Sequence, residues 1–183
     1  MTREAYLKQL EDSLFKDKDD WMAFISLTKA AQELKDEWKK ELVHALNERI
    51  SDKDFDLIVE NWEKFWFSYI SSSYNNKDYL ACIFVEGPNV HLWVRDSQSK
   101  DYTELVLSNG WQKRNDNFGG QNLATKRWLP DSDSLNFSDM DALAWEIHNN
   151  RKQIAEQISS VVNEGLQVFK EILTPSNSNK ASS

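Results

Sequence analysis

The stretch of sequence that decides the fold is YLACIFVEGPNVHLWVRD, residues 79–96. Residues 79–86 form a continuous apolar run whose length suits a strand that is buried on both faces. Gly87 and Pro88 then form a turn signal, and apolar and polar residues alternate over residues 90–95, which is typical of a half-buried strand. Because the connection is too short for a parallel crossover, the sequence predicts an antiparallel pair.

The same pattern extends towards the C-terminus. Residues 102–107 are predicted to form a third strand, and Asn109-Gly110 is a strong hairpin signal that would start a fourth strand at residues 111–114. Residues 115–137 have no clean period and several turn-forming clusters, so they are predicted to be a long connection. A connection of that length inside a compact domain is usually functional or partly disordered.

Helical periodicity dominates the N-terminal part. A short first helix is predicted from the spacing of Leu7, Leu10 and Leu14. Asp19 or Asp20 would cap a long second helix, whose apolar residues step by four along one stripe: Leu34, Trp38, Leu42, Leu46 and Ile50. A capping-box variant at residues 51–54 predicts a further helix over residues 55–70.

The C-terminal part predicts one long amphipathic helix. Residues 138–141 repeat the capping-box variant, and apolar residues at helical spacing follow. Asn149-Asn150 is expected to bend the helix, and Thr174-Pro175 to end it. The predicted fold is therefore α+β, with N-terminal helices, a three- to four-stranded antiparallel meander and a long C-terminal helix. One domain spans residues 1–175, and residues 176–183 form a disordered tail.

Composition limits the class of protein. The chain of 183 residues carries a net charge of −8, and no apolar run approaches the roughly 20 residues that a membrane span needs. The N-terminus lacks the apolar core of a signal peptide, so a cytoplasmic location is the expectation. The single cysteine, Cys82, excludes an internal disulfide and lies in an apolar run, where a buried thiol is expected.

Catalytic and metal-binding motifs are not apparent in the sequence. His44, His91 and His148 are isolated, and neither a P-loop nor a dinucleotide-binding pattern occurs. Glu37-Trp38-Lys39 has the Glu-x-Lys form of some metal-dependent nucleases, but it falls inside a predicted helix and is interpreted as chance. The sequence predicts no enzyme, no metal and no cofactor. A metal-dependent enzyme with a hidden site is the least favoured of three hypotheses, and the other two concern binding to protein and to nucleic acid.

The candidate contact site lies in residues 108–130, a basic segment in an acidic protein. Aromatic and cationic side chains together suit recognition, because rings bind at little entropy cost and charges steer. The predicted partner-binding residues are Trp111, Lys113, Arg114, Lys126, Arg127 and Trp128. The alternative is that the rings fold back onto the sheet. A second, acidic surface is predicted from Glu11, Asp12, Asp17, Asp19 and Asp20.

A series of short motifs follows from residue 55 onward: FWFSYI, then residues 79–96, NGWQKR, KRWLP and a closing helix that contains FKEIL. This series resembles the C-terminal accessory region of phage and bacterial-defence proteins of the PD-(D/E)XK nuclease superfamily. The nuclease core and its catalytic acids have no counterpart, so no catalytic residue carries over. The resemblance implies a non-catalytic module that recognises a partner or the end of a substrate.

Charge and motifs together favour protein binding. The chain is interpreted as an acidic inhibitor, immunity or anti-defence protein that occupies a nucleic-acid-handling enzyme, such as a nuclease or a defence complex. The acidic helical half would enter the basic groove of that enzyme. The alternative is an accessory module that binds nucleic acid through residues 108–130. A homodimer through the C-terminal helix is a further alternative, and no membrane partner is expected.

Overall fold

The computed structural model describes residues 4–5, 8, 17–50, 52–75, 79–96, 107, 110–113, 122–130 and 135–173. The fold is α+β. In chain order the elements are α1 (Lys18–Arg49), β1 (Phe55–Asn61), a 3-10 turn (Trp62–Lys64), β2 (Trp66–Asn75), β3 (Tyr79–Glu86), β4 (Asn89–Asp96), β5 (Asn122–Arg127) and α2 (Met140–Leu173). The chain divides into two compact units, Met1–Lys40 and Glu41–Ser183.

The second unit contains one five-stranded sheet in the order β1-β2-β3-β4-β5, and every neighbouring pair is antiparallel. The hairpin predicted from residues 79–96 is confirmed: Glu86 pairs with Asn89, and Phe84 pairs with His91. Gly87 at the turn has φ of +52°, a backbone conformation that glycine adopts without steric cost. The sheet has five strands where the sequence predicted three or four.

The additional strands come from residues 55–70, where the prediction of a helix is wrong. Residues 55–61 form β1, and β2 starts at Trp66. Along β1, side chains that are more buried alternate with exposed ones, and the segment is rich in β-branched and aromatic residues, which favour a pleated surface. The connection is the 3-10 turn, which Asn61 caps by accepting a hydrogen bond from the Glu63 N–H.

The prediction for residues 102–137 is only partly testable. Most of residues 102–107 lies outside the described residues, and Leu107 is helical instead of extended. Gln112 forms a bridge to Thr125 through two backbone hydrogen bonds of 2.8 and 2.9 Å. The connection predicted over residues 115–137 contains β5, which pairs with β4. Residues 122–127 contain few apolar side chains, so hydrophobic periodicity did not indicate this strand.

Helix α2 covers one face of the sheet, and its length is as predicted, although its cap is Asp139 instead of Ser138 and Thr174-Pro175 lies outside the described residues. Asp139 caps it by accepting hydrogen bonds from the backbone N–H groups of Asp141 and Ala142, both at 3.1 Å. Asn150 has non-helical angles (φ −117°, ψ 17°), which confirms the expected bend. A Cβ atom on Gly165 would lie 2.6 Å from Leu92 Cδ2, so this glycine permits the close approach of helix and sheet.

Helix α1 starts two to three residues earlier than expected from its predicted cap. Asp17, not Asp19 or Asp20, accepts hydrogen bonds from two backbone N–H groups of the first turn, at 2.8 and 3.0 Å. Near the other end, Leu42, Leu46 and Ile50 are buried, as the stripe predicted. The backbone carbonyl of Arg49 accepts a hydrogen bond of 3.0 Å from Asn163 of α2, which holds this end in the second unit.

The core lies between α2 and the sheet. Its largest buried side chains include Phe65, Phe67, Tyr69 and Phe169, and the ring of Phe169 stacks on Phe55 with 6.2 Å between centroids. Residues Leu7, Leu10 and Leu14 and the tail at residues 176–183 lie outside the described part of the chain. None of the described helices is long and apolar enough to cross a membrane.

Candidate functional site

The two tryptophans predicted as partner contacts are buried. Trp111 is 2% exposed and Trp128 is 3% exposed. The indole N–H of Trp128 donates a 2.7 Å hydrogen bond to the carbonyl oxygen of Gly87, which fastens residue 128 to the turn between β3 and β4. These rings therefore support the sheet, as the alternative interpretation of the segment held, and their faces are closed to a partner.

Two of the predicted cations, Lys126 and Arg127, lie on opposite faces of the sheet. Lys126 Nζ lies 2.5 Å from Glu164 Oε2 of α2 and 6.0 Å from the centre of the Trp111 ring. Arg127 is exposed, but its Nε donates to the Leu129 carbonyl oxygen at 2.8 Å. Lys113 is exposed, and Arg114 lies outside the described residues. Lys126 thus joins β5 to α2, whereas Arg127 lies on the other face of the sheet, so these two described cations do not share a patch.

The predicted acidic surface is described only in part. Asp17, Asp19 and Asp20 are exposed at the start of α1, where carboxylates complement the helix dipole. Glu11 and Asp12 lie outside the described residues. Residues 17–40 contain five lysines and six acids, so this stretch has a net charge of only −1. The chain's charge of −8 is therefore concentrated elsewhere.

In the described ranges, the side chains that could ligate a metal ion do not form a cluster. No group of three or more His, Cys, Asp or Glu side chains there could hold a metal ion. Cys82 is buried, as predicted, and this burial, with a smaller effect of Glu60, raises its pKa to about 12. The thiol is protonated at neutral pH and is a poor nucleophile. His44 and His148 are exposed, and His91 is buried.

The most exposed apolar surface lies on α1 within the first unit. Four side chains on one side of the helix form what we term the apolar helix face: Trp21 (47% exposed), Phe24 (42%), Leu27 (70%) and Leu34 (53%). At 100° per residue they fall within about 140° of one another. The Trp21 and Phe24 rings lie 6.1 Å apart, and Met22, on the opposite side of the helix, is also exposed.

Sequence reasoning named one member of this face, Leu34, but assigned it to the core. Leu34 was expected in a core stripe with Leu42 and Leu46, yet it is half exposed while those two are fully buried. Helical spacing reports only that apolar side chains share a side of the helix. It does not report whether that side meets the sheet, because burial depends on tertiary contacts.

A second surface lies on the sheet, on the face opposite α2. We term it the outer sheet face. Cross-strand partners lie on the same face, so the register places its described side chains in three rows. The rows are Trp66–Glu86–Asn89–Arg127, then Ile58–Ser68–Phe84–His91–Thr125, then Asp56–Ile70–Cys82–Trp93.

Aromatic rings form much of the outer sheet face. Trp66, Phe84 and Trp93 are half-buried, whereas the smaller Cys82 and the His91 ring lie buried between their neighbours. The His91 ring stacks on Phe84 with centroids 4.6 Å apart, and His91 Nε2 lies 4.0 Å from Glu86 Oε2. Sequence alternation along β4 indicated a half-buried strand but not which of its faces α2 would cover.

Comparison with protein-family models, with curated proteins and with solved structures finds no match for this chain.

Proposed function

We propose that this protein is a non-enzymatic protein-binding module, and that the apolar helix face of α1 is its principal contact surface. The observation that carries the proposal is the exposure of large apolar side chains on one side of a helix, above all Leu27 at 70% and Leu34 at 53%. Exposed apolar patches on soluble proteins are typical of interaction sites.

The occupant we propose is an apolar groove on another protein. An amphipathic helix presents anchors at intervals of three, four and seven residues to such a groove. Intervals of three and seven residues separate the members of this face, which are Trp21, Phe24, Leu27 and Leu34. Burying one such side chain fully contributes roughly 1.5–3 kcal/mol, so several together are sufficient for specific binding. The near-neutral charge of residues 17–40 favours an apolar contact over an electrostatic one.

The inhibitor or anti-defence role proposed from the sequence fits a binding module without a reactive centre. The nucleic-acid alternative has less support, because Lys126 pairs with Glu164 and the two tryptophans of residues 108–130 are buried. Base stacking requires exposed rings beside free cations. A homodimer through α2 also has less support, since its apolar stripe, including Ile154, Ile158 and Leu166, is buried in the core.

The test uses paired charge insertions on α1. Leu27→Glu and Leu34→Glu place a carboxylate on the apolar helix face, whereas Ser26→Glu places the same charge on the opposite, exposed side of the same helix. Tagged wild-type and variant proteins are incubated with nuclease-treated lysate from the source, and stoichiometric partners are identified. A protein partner retained by wild type and Ser26→Glu, but lost from both leucine variants, supports the proposal.

Two results would overturn it. The first is a partner that both leucine variants retain as well as wild type does. The second is a concentration-dependent dimer of the purified protein, measured by light scattering, that Leu27→Glu dissociates; the apolar helix face would then bind a second copy of the chain. Unchanged circular dichroism of all three variants provides the folding control, because each substitution is at an exposed position.

A further inference from the structure

The outer sheet face combines aromatic rings with carboxylates. Trp66, Phe84 and Trp93 lie on three successive strands, each one row further along, so they form a diagonal across β2, β3 and β4. Diagonal neighbours on one face of an antiparallel sheet are roughly 7–8 Å apart, and the diagonal therefore spans about 15 Å. Each ring is partly exposed, so each has surface available for contact.

The charge on this face is mainly negative. Glu86 follows Trp66 in its row, with 46% of its side chain exposed. Asp56, Ile58 and Glu60 are exposed at alternate positions of β1, which places Glu60 on the same face as Asp56 and Ile58. Among the described side chains in the three rows, the one permanent cation is Arg127, at the end near β5. Carboxylates beside aromatic rings suit a cationic partner.

Two donors on the same face lack acceptors. The indole N–H groups of Trp66 and Trp93 are buried and have no hydrogen-bond partner within the described residues. Buried polar groups without partners are rare in folded proteins, and each calls for an explanation. Backbone carbonyl oxygens of a bound polypeptide, reached after a small adjustment of each ring, would supply acceptors that a free metal ion or a simple amine lacks.

We infer that the outer sheet face binds an arginine-rich segment of a protein. A guanidinium group stacks on an aromatic ring and forms paired hydrogen bonds with a carboxylate, and Trp66 beside Glu86 offers both. The outer sheet face belongs to the second unit and the apolar helix face to the first, so the inference does not depend on the proposed function. Nucleic acid is disfavoured, because its phosphates would meet the carboxylates of this face and a net charge of −8.

The test is isothermal titration of the full chain with an oligoarginine peptide, and separately with an oligothymidylate. Glu86→Gln and Glu60→Gln each remove one carboxylate from the outer sheet face. Glu156→Gln removes the same charge from an exposed position on α2. We expect each face variant to weaken peptide binding by about three- to tenfold, and the control to bind as wild type does. Stacking should also quench tryptophan fluorescence in proportion to peptide bound.

A general attraction between an acidic protein and a basic peptide makes a different prediction. Under it, Glu156→Gln would weaken binding as much as Glu86→Gln, and that result would overturn the inference. So would absence of peptide binding, or tighter binding of the oligothymidylate. Trp93→Phe keeps a ring but removes an indole N–H, so it tests the face without relying on charge. We expect it to weaken peptide binding with unchanged circular dichroism, and an unchanged affinity would contradict the inference.

Discussion

Trp111 and Trp128 carry the same side chain in the same interior but differ in their hydrogen bonds. The Trp128 indole N–H donates to the Gly87 carbonyl oxygen at 2.7 Å, whereas the buried Trp111 N–H has no acceptor within the described residues. An intramolecular hydrogen bond contributes about 1 kcal/mol net, and leaving its buried partner unpaired costs about 1–3 kcal/mol. Comparing the two residues therefore separates the contribution of the hydrogen bond to stability from the contribution of burying the ring.

Substitution of each tryptophan by phenylalanine tests this difference. Trp128→Phe and Trp111→Phe remove similar volume, but Trp128→Phe also leaves the Gly87 carbonyl oxygen without its donor. We expect Trp128→Phe to lower the free energy of unfolding by about 1–2 kcal/mol more than Trp111→Phe. Urea denaturation of the two variants measures the difference. Equal losses would show that the hydrogen bond makes no net contribution.

Trp111 and Trp128, which the sequence predicted as partner contacts, are instead buried in the core. The sequence shows aromatic and cationic residues in a turn-rich segment, which fits both a surface loop and a buried strand with its flanks. The segment is a buried strand with its flanks because β5 pairs with β4, which brings Ala124 and Lys126 to the side that α2 covers. No local signal in residues 108–130 encodes that pairing, because the β4 partner is distant in the chain.

At the scale of elements, α1 and α2 begin in the same way but differ in what they stabilise. Asp17 and Asp139 each accept two backbone hydrogen bonds from the first turn of their helix. The first turns of α1 have exposed side chains, whereas α2 buries Leu143, Ala144 and Ile147 within two turns of its start. The same cap should therefore have a local effect in α1 and a global effect in α2.

Replacing each cap with alanine tests that expectation. Asp139→Ala should lower the global free energy of unfolding by about 1 kcal/mol, the usual contribution of an N-cap. Asp17→Ala should leave the urea midpoint nearly unchanged and instead speed amide hydrogen exchange in the first turn of α1. If Asp17→Ala shifts the midpoint as much as Asp139→Ala, then the start of α1 unfolds together with the core.

Residues 55–70 were predicted to form a helix, but they contain β1 and the start of β2. Apolar residues there are dense enough to satisfy helical spacing and strand alternation at once. The competing signals were the aromatic and β-branched content and the turn that Asn61 caps, with Phe65 in the left-handed region at φ +48°. Pairing with β3 on the far side of β2 then favours the extended form, and that pairing is tertiary information.

At the scale of the whole molecule, the two units contribute unequally to the core. Every buried apolar side chain among the described residues belongs to Glu41–Ser183. The first unit exposes Leu27 and Leu34 instead, which is the arrangement expected of a segment whose apolar side chains serve a partner.

A chain that starts at Glu41 tests this division. We expect it to retain a cooperative thermal transition with Tm within about 3 °C of the full chain, since a shift of that size corresponds to about 1 kcal/mol for a protein of this length. Its helical circular dichroism should fall by the contribution of residues 18–40. Leu46→Ala in the full chain provides the contrast, because truncating a fully buried leucine costs about 2–5 kcal/mol. Loss of the cooperative transition on truncation would show that the first unit is part of the core.

The sequence by itself determined the α+β class, the hairpin of β3 and β4, the long C-terminal helix with its bend at Asn150, and the burial of Cys82. These features follow from local periodicity, turn residues and caps, which act over a few residues. Tertiary structure alone decided that residues 55–75 are strands, that Trp111 and Trp128 face inward, and that Leu34 faces outward. The reason is that burial and strand pairing depend on residues far apart in the chain, whereas periodicity reports only which side chains share a side.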